Sequence, residues 1–157
     1  MGVEIERKFL VKNDRWRGLA PGLLYRQGYI PSEQTVRIRI AGDQGFITIK
    51  GKTKGIARSE FEYAIPVEDA AQMLDTLCQR PLIEKYRHKI VLNDLIWEVD
   101  EFLADNQGLV IAEVELENSG QAIALPDWIG EEVSHDPRYY NANLVNHPYS
   151  HWNLIEH

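Results

Sequence analysis

Glu4-Ile5-Glu6-Arg7-Lys8-Phe9-Leu10-Val11, near the start of a 157-residue chain, is the stretch on which the reading of the fold turns. In an extended strand successive side chains point to opposite faces, so Glu4, Glu6 and Lys8 stand in one row while Ile5, Phe9 and Val11 mark the apolar pattern around them. Alone, such a row describes any solvated strand face. It gains weight because the same every-second-residue charge pattern returns in strand after strand.

Working outward, Thr35-Val36-Arg37-Ile38-Arg39-Ile40 sets three aliphatic side chains against Arg37 and Arg39. Gly42-Asp43-Gln44-Gly45 supplies a hairpin turn, and Phe46-Ile47-Thr48-Ile49-Lys50-Gly51-Lys52 returns with Thr48, Lys50 and Lys52 on one face. Arg58, Glu60 and Glu62 then oppose Phe61, Tyr63 and Ile65. Further on, Lys85, Arg87 and Lys89 align before a tight Asn93-Asp94 turn, followed by Glu98 with Asp100, and by Glu113, Glu115 and Glu117. Residues 24–30 form another strand whose facing is open, because neither Tyr25, Gln27 and Tyr29 nor the opposite set is clearly the buried one. About eight strands result, mostly in hairpins.

Between them the period changes once. Ala70, Met73, Leu74, Leu77 and Cys78 fall at helical spacing after Pro66, with Glu68 and Asp69 early and Pro81 beyond the end. Residues 125–134 are expected to form a short helix with a Leu125, Ile129, Val133 stripe, and residues 136–144 a turn leading into another helical turn. Length points to one domain, residues 1–157. The net charge of −7 argues against a general nucleic-acid binder. Cys78 is the only cysteine, which rules out an intramolecular disulfide and a cysteine-rich zinc site. No apolar leader or long apolar span is present, so a cytoplasmic location and no membrane partner are expected.

The polar faces are sorted by sign, and like charges side by side on a flat sheet repel. The rows make sense if the sheet closes into an eight-stranded antiparallel barrel with its charged face inward and its apolar face outward, covered by helices. Burying so many charges costs several kcal/mol each unless partners compensate them. Cation rows call for a polyanion, and carboxylate rows call for hard divalent metal. Together these are the ingredients of phosphoryl transfer.

At this point the ordered set Glu4-x-Glu6-x-Lys8, Arg37-x-Arg39, Lys50-x-Lys52, Glu60-x-Glu62, Lys85-x-Arg87, Asp100 and Glu113-x-Glu115-x-Glu117 resembles the CYTH domain of the triphosphate tunnel metalloenzymes. The tail Pro126-Asp127-Trp128-Ile129-Gly130-Glu131-Glu132-Val133 and Tyr139-Tyr140-Asn141-Ala142-Asn143-Leu144 resembles that family's closing segment. The resemblance implies a mainly β, closed triphosphate tunnel that uses Mg²⁺ or Mn²⁺. It implies phosphate contacts from Lys8, Arg37, Arg39, Lys50, Lys52, Arg58, Lys85 and Arg87, and metal contacts from Glu4, Glu6, Glu62, Asp100, Glu115 and Glu117. Glu4, Glu6, Lys8 and Glu117 are its implied catalytic residues. A lone compact domain is most similar to small bacterial members that hydrolyse inorganic tripolyphosphate to pyrophosphate and phosphate. Monomer and homodimer stand equal.

Other readings compete. The same fold serves thiamine triphosphatases and class IV-type adenylate cyclases, which must seat a ring. Trp16, Trp97, Trp128 and Trp152 read as packing residues first. A non-catalytic polyphosphate or nucleotide binder would gain little from acids beside its ligand. A lipocalin-like carrier requires an apolar interior, the reverse of this pattern. His88, His135, His147, His151 and His157 show no metal-ligand spacing, Cys78 reads as a core residue, and Lys54 as a loop cation.

Overall fold

A computed structural model describes residues 2–52 and 54–152. Among these, the strands are β1 Gly2–Val11, β2 Gly22–Ile30, β3 Thr35–Ala41, β4 Gln44–Lys50, β5 Ala57–Ile65, β6 Ile83–Leu92, β7 Leu95–Phe102, β8 Val110–Glu115 and β9 Ile129–Glu132. Two helices, α1 Val67–Thr76 and α2 Asn141–Asn146, join them. The sheet runs β5-β4-β3-β2-β6-β7-β8-β1, and an additional antiparallel pairing of β1 with β5 closes it into the expected barrel.

Local sequence explains the tight connections. Gly42 takes φ 62° between β3 and β4, and Asn93 and Asp94 take φ 51° and 64° between β6 and β7. Positive φ at both central residues gives a two-residue turn the right-handed twist its strands require, and Asn and Asp tolerate it.

Residues 125–134 do not form the expected helix. Ile129–Glu132 is instead the ninth strand, paired to β1 through Phe9↔Glu132 and Val11↔Ile129. The reason lies in β1, whose first half pairs with β5 and whose second half would otherwise show that edge without partners. The backbone of the tail satisfies it, with Lys12 N donating to Trp128 O at 3.0 Å and Val133 N to Lys8 O at 2.8 Å. Leu125 stays exposed, so the helical stripe never forms.

The apolar cores lie outside the barrel wall. Phe9, Trp16, Trp97, Val99, Val114 and Trp128 pack on one side. Ile83, Phe102, Ile111, Leu144 and Trp152 pack under the C-terminal segment. α1 lays Ala70 and Leu74 against Ile38, with Cys78 completing that cluster as a core residue. All four tryptophans are buried packing residues. A Cβ on Gly28 would stand 2.8 Å from Cys78 Cβ, so glycine is what lets the chain after α1 lie on β2. No described helix is long and apolar enough to cross a membrane.

Candidate active site in the barrel interior

With the apolar faces turned outward, the alternate residues line a cavity of about 460 Å³. Lys8, Arg37, Arg39, Lys50, Arg58 and Arg87 line it, as do Glu4, Glu6, Glu62 and Glu115. Glu60, Lys89, Glu98 and Glu113 join them; all four lie on the alternating rows legible in the sequence. Lys52 and Glu117 do not line it. Both are exposed beyond the ends of β4 and β8, where the chain has left the sheet and alternation no longer sets direction.

Two neighbouring strands show which mouth is open. Along β6 the side-chain exposure rises from 0% at Lys85 through 8% at Arg87 to 58% at Lys89, and along β7 from 0% at Asp100 to 29% at Glu98. The opposite end is crossed by the C-terminal segment, where Tyr140, Asn141, Ala142 and Asn143 face the cavity. Lys85 Nζ donates to Asn141 Oδ1 at 3.0 Å, and Lys8 Nζ donates to Tyr139 O at 3.4 Å.

The charges form two arcs. β3 and β6 contribute Arg37, Arg39, Arg87 and Lys89, with the uncharged Tyr25, Gln27 and Tyr29 of β2 between them. Across the cavity, β7, β8, β1 and β5 contribute mostly acids. Arg87 bonds Asp100 through two nitrogens at 2.7 and 2.8 Å, and Lys85 Nζ lies 2.8 Å from the same carboxylate. Both Asp100 oxygens are thus engaged inside the wall, and neither Asp100 nor Lys85, assigned to metal and phosphate from the sequence, lines the cavity. Burial drives Lys85 down to about 7, with Asp100 opposing and Arg87 and Arg39 adding to the fall by repulsion. Asp100 itself is held below its usual range, because Arg87 and Lys85 outweigh the cost of burial.

Elsewhere, Lys50 pairs with Glu4 at 2.9 Å, Arg37 with Glu62 at 3.2 Å, and Lys8 with Glu113 at 3.8 Å. Burial raises the Glu6 carboxyl well above its ordinary value, helped by Glu113 and Glu4. Glu113 goes the other way: burial opposes its ionisation, but Lys8, Arg87 and a hydrogen bond with Glu6 hold it well below. The two neighbouring carboxyls thus shift in opposite directions.

The acidic arc suits a hard cation. Burial raises Glu115, and Glu4, Glu60 and Glu98 add to it by repulsion, so four carboxylates stand close together on this side. Among the described residues no three His, Cys, Asp or Glu side chains form a ready-made cage. Mg²⁺ does not require one, since it keeps waters and joins one or two carboxylates to phosphate oxygens. His88 faces away and meets Ala20 O and the Trp16 ring, while His157 lies outside the described residues.

The cationic arc suits phosphate. Arg37 is buried, and its Nε has no partner among the described residues, an arrangement that costs stability unless a ligand supplies an acceptor. Arg39 makes its one described hydrogen bond to a neutral amide, Gln27 Oε1, at 2.8 Å. Burial, then Arg37 and Arg87, bring it down to about 9, so a bound anion would relieve it.

Comparison with known proteins agrees with this geometry. A protein 52% identical over 151 residues, covering 95% of this chain and 97% of its own, is the inorganic triphosphatase of Acetivibrio thermocellus. The inorganic triphosphatase of Nitrosomonas europaea is 37% identical over 148 residues, covering 90% of this chain and 96% of its own. A crystal structure of an inorganic triphosphatase superposes with a TM-score of 0.65 at 33% identity, covering 90% of this chain and 96% of that one. The CYTH domain model matches residues 2–149, and the chain belongs to the CYTH domain family.

Proposed function

We propose that this protein is a metal-dependent triphosphate hydrolase acting on inorganic tripolyphosphate, as a single domain, with Mg²⁺ or Mn²⁺. The observation that carries the reading is the division of one cavity into a cationic arc and an acidic arc. A chain of phosphates would lie against the first, and carboxylates of the second would hold divalent metal. Relatives named inorganic triphosphatases, matched over nearly their whole length, support the same substrate.

Within this reading Arg37, Arg39 and Arg87 hold phosphate oxygens by charge-assisted hydrogen bonds, and Lys8, Lys50 and Arg58 extend that grip. Glu4, Glu6, Glu62 and Glu115 would hold the metal. A divalent ion bound there supplies Lewis-acid neutralisation of phosphate charge and lowers the pKa of water at neutral pH. In the reaction one water adds its oxygen to phosphorus, a bridging P–O bond breaks, and pyrophosphate and phosphate leave with the protons balanced between them. Lys8, raised above its ordinary value because Glu113 and Glu6 outweigh its burial, keeps its charge for the developing anion. No tryptophan lines the cavity, so a ring-bearing substrate lacks the stacking partners the sequence offered.

Phosphate release with Mg²⁺ or Mn²⁺, run in parallel on tripolyphosphate, ATP and thiamine triphosphate with a chelator control, tests this. Chelator-sensitive release strongest on tripolyphosphate is expected. Preference for either other substrate would move the function within the fold, and tight binding without turnover would make the cavity a binding site.

A further inference from the structure

Among the described residues β2 is the one barrel strand whose row on the interior side, Tyr25, Gln27 and Tyr29, carries no formal charge, and it lies between β3 and β6, which supply Arg37, Arg39 and Arg87. Gln27 is fully buried at its centre. Its amide orientation is fixed by chemistry: a guanidinium nitrogen only donates, so the oxygen must face Arg39 Nε, at 2.8 Å. Its nitrogen then donates to Tyr29 Oη at 2.9 Å and reaches Asn141 Oδ1 at 3.5 Å.

The consequence concerns Arg39. The other buried cations of the wall each have a carboxylate: Glu62 for Arg37, Asp100 for Arg87 and Lys85, Glu113 for Lys8. Among the described residues Arg39 has none within ion-pair distance, although it is only 8% exposed. Arg58 also lacks one, but gives its guanidinium to Gly51 O and Thr35 Oγ1. Tyr25 lies 4.8 Å beneath Arg39, which leaves its terminal nitrogens as the clamp.

We propose that Gln27 is a positioning residue for substrate binding: its neutral amide aims Arg39 without neutralising it, leaving one fully charged guanidinium for the phosphate chain. A carboxylate of the same shape would aim it equally well and cancel its charge. This rests on the triphosphate reading above, and it assigns Gln27 no contact with the reacting atoms.

The test compares Gln27→Glu and Gln27→Met with wild type in three measurements: calorimetric binding of tripolyphosphate with chelator present, KM and kcat with Mg²⁺, and thermal unfolding. Gln27→Glu should weaken binding and raise KM at least about tenfold, by pairing the clamp internally, with kcat changed less and the unfolding temperature equal or higher. Gln27→Met keeps the charge free but unaimed, so its KM should rise only about threefold, with a lower unfolding temperature. A merely structural glutamine predicts the reverse order, with Met and Glu variants losing activity in step with stability. Wild-type affinity in Gln27→Glu, or equal losses in the two variants, overturns the proposal. Should Gln27→Glu not fold, an unchanged KM in Gln27→Met overturns it, and a raised one upholds it. If wild type binds tripolyphosphate without hydrolysing it, the functional reading fails while the calorimetry still decides the role of Gln27.

Discussion

Asp100 shows how a single carboxylate can hold two cations of a charged interior together. It is completely buried and bonds both Arg87 and Lys85, so removing its charge strands two cations; Asp100→Asn should cost about 3–5 kcal/mol in urea unfolding. Its pH behaviour follows from its depressed pKa. Between the folded value and the ordinary one near 4 the unfolded chain binds more protons, so the stabilisation is complete above that window and disappears as the pH falls through it. Wild type should lose stability across the acid range faster than Asp100→Asn; parallel curves would show that Asp100 does not carry the charge balance. Glu4 makes the complementary case, because it faces the cavity beside Lys50. Glu4→Gln should lower kcat by at least about tenfold to a hundredfold, with stability little changed, as expected for a group that serves metal in a wet site. Full activity in that variant would remove Glu4 from the metal-facing set.

At the level of elements, helix and barrel interior are separable. α1 packs Leu74 on the outer wall, so Leu74→Ala should lose about 2–5 kcal/mol of stability and leave KM unchanged at temperatures where the variant is folded. A raised KM would mean that the wall transmits packing changes to the site. The same separation explains what was legible in sequence. Strands with Arg, Lys or Glu opposite Ile and Val announce both their direction and the sign of the interior, which is why Arg37, Arg39, Glu4 and Glu115 fall where their alternation places them. β2 does not announce itself, since Tyr25, Gln27 and Tyr29 contrast too little with Leu24, Arg26, Gly28 and Ile30. Lys52 and Glu117 continue a spacing past the point where the strand ends. Asp100 belongs to the row it was read in, but its commitment to Arg87 depends on the cross-strand register, which a single row does not contain. The β9 segment carried an i, i+4 apolar spacing, and the unpaired edge of β1 decided its conformation.

The whole molecule carries a net charge of −7, yet concentrates guanidinium groups on one arc of its interior. A polyanion that enters should therefore stabilise the fold by filling the cationic arc, even with chelator present. At a hundred times its Kd, tripolyphosphate should add about 2.7 kcal/mol, a rise of roughly 5–10 °C in unfolding temperature for a chain of this size. The rise should be much smaller in Arg39→Ala, and an equal rise there would place the anion elsewhere. In this reading phosphate and metal meet between the two arcs. An anomalous-scattering map from crystals grown with Mn²⁺ and a non-hydrolysable imido analogue of tripolyphosphate tests it most directly. Phosphorus positions are expected against Arg37, Arg39 and Arg87, and manganese inside the barrel on at least one of Glu4, Glu6, Glu62 and Glu115. Phosphate on the outer surface, or manganese bound away from these carboxylates, would contradict it.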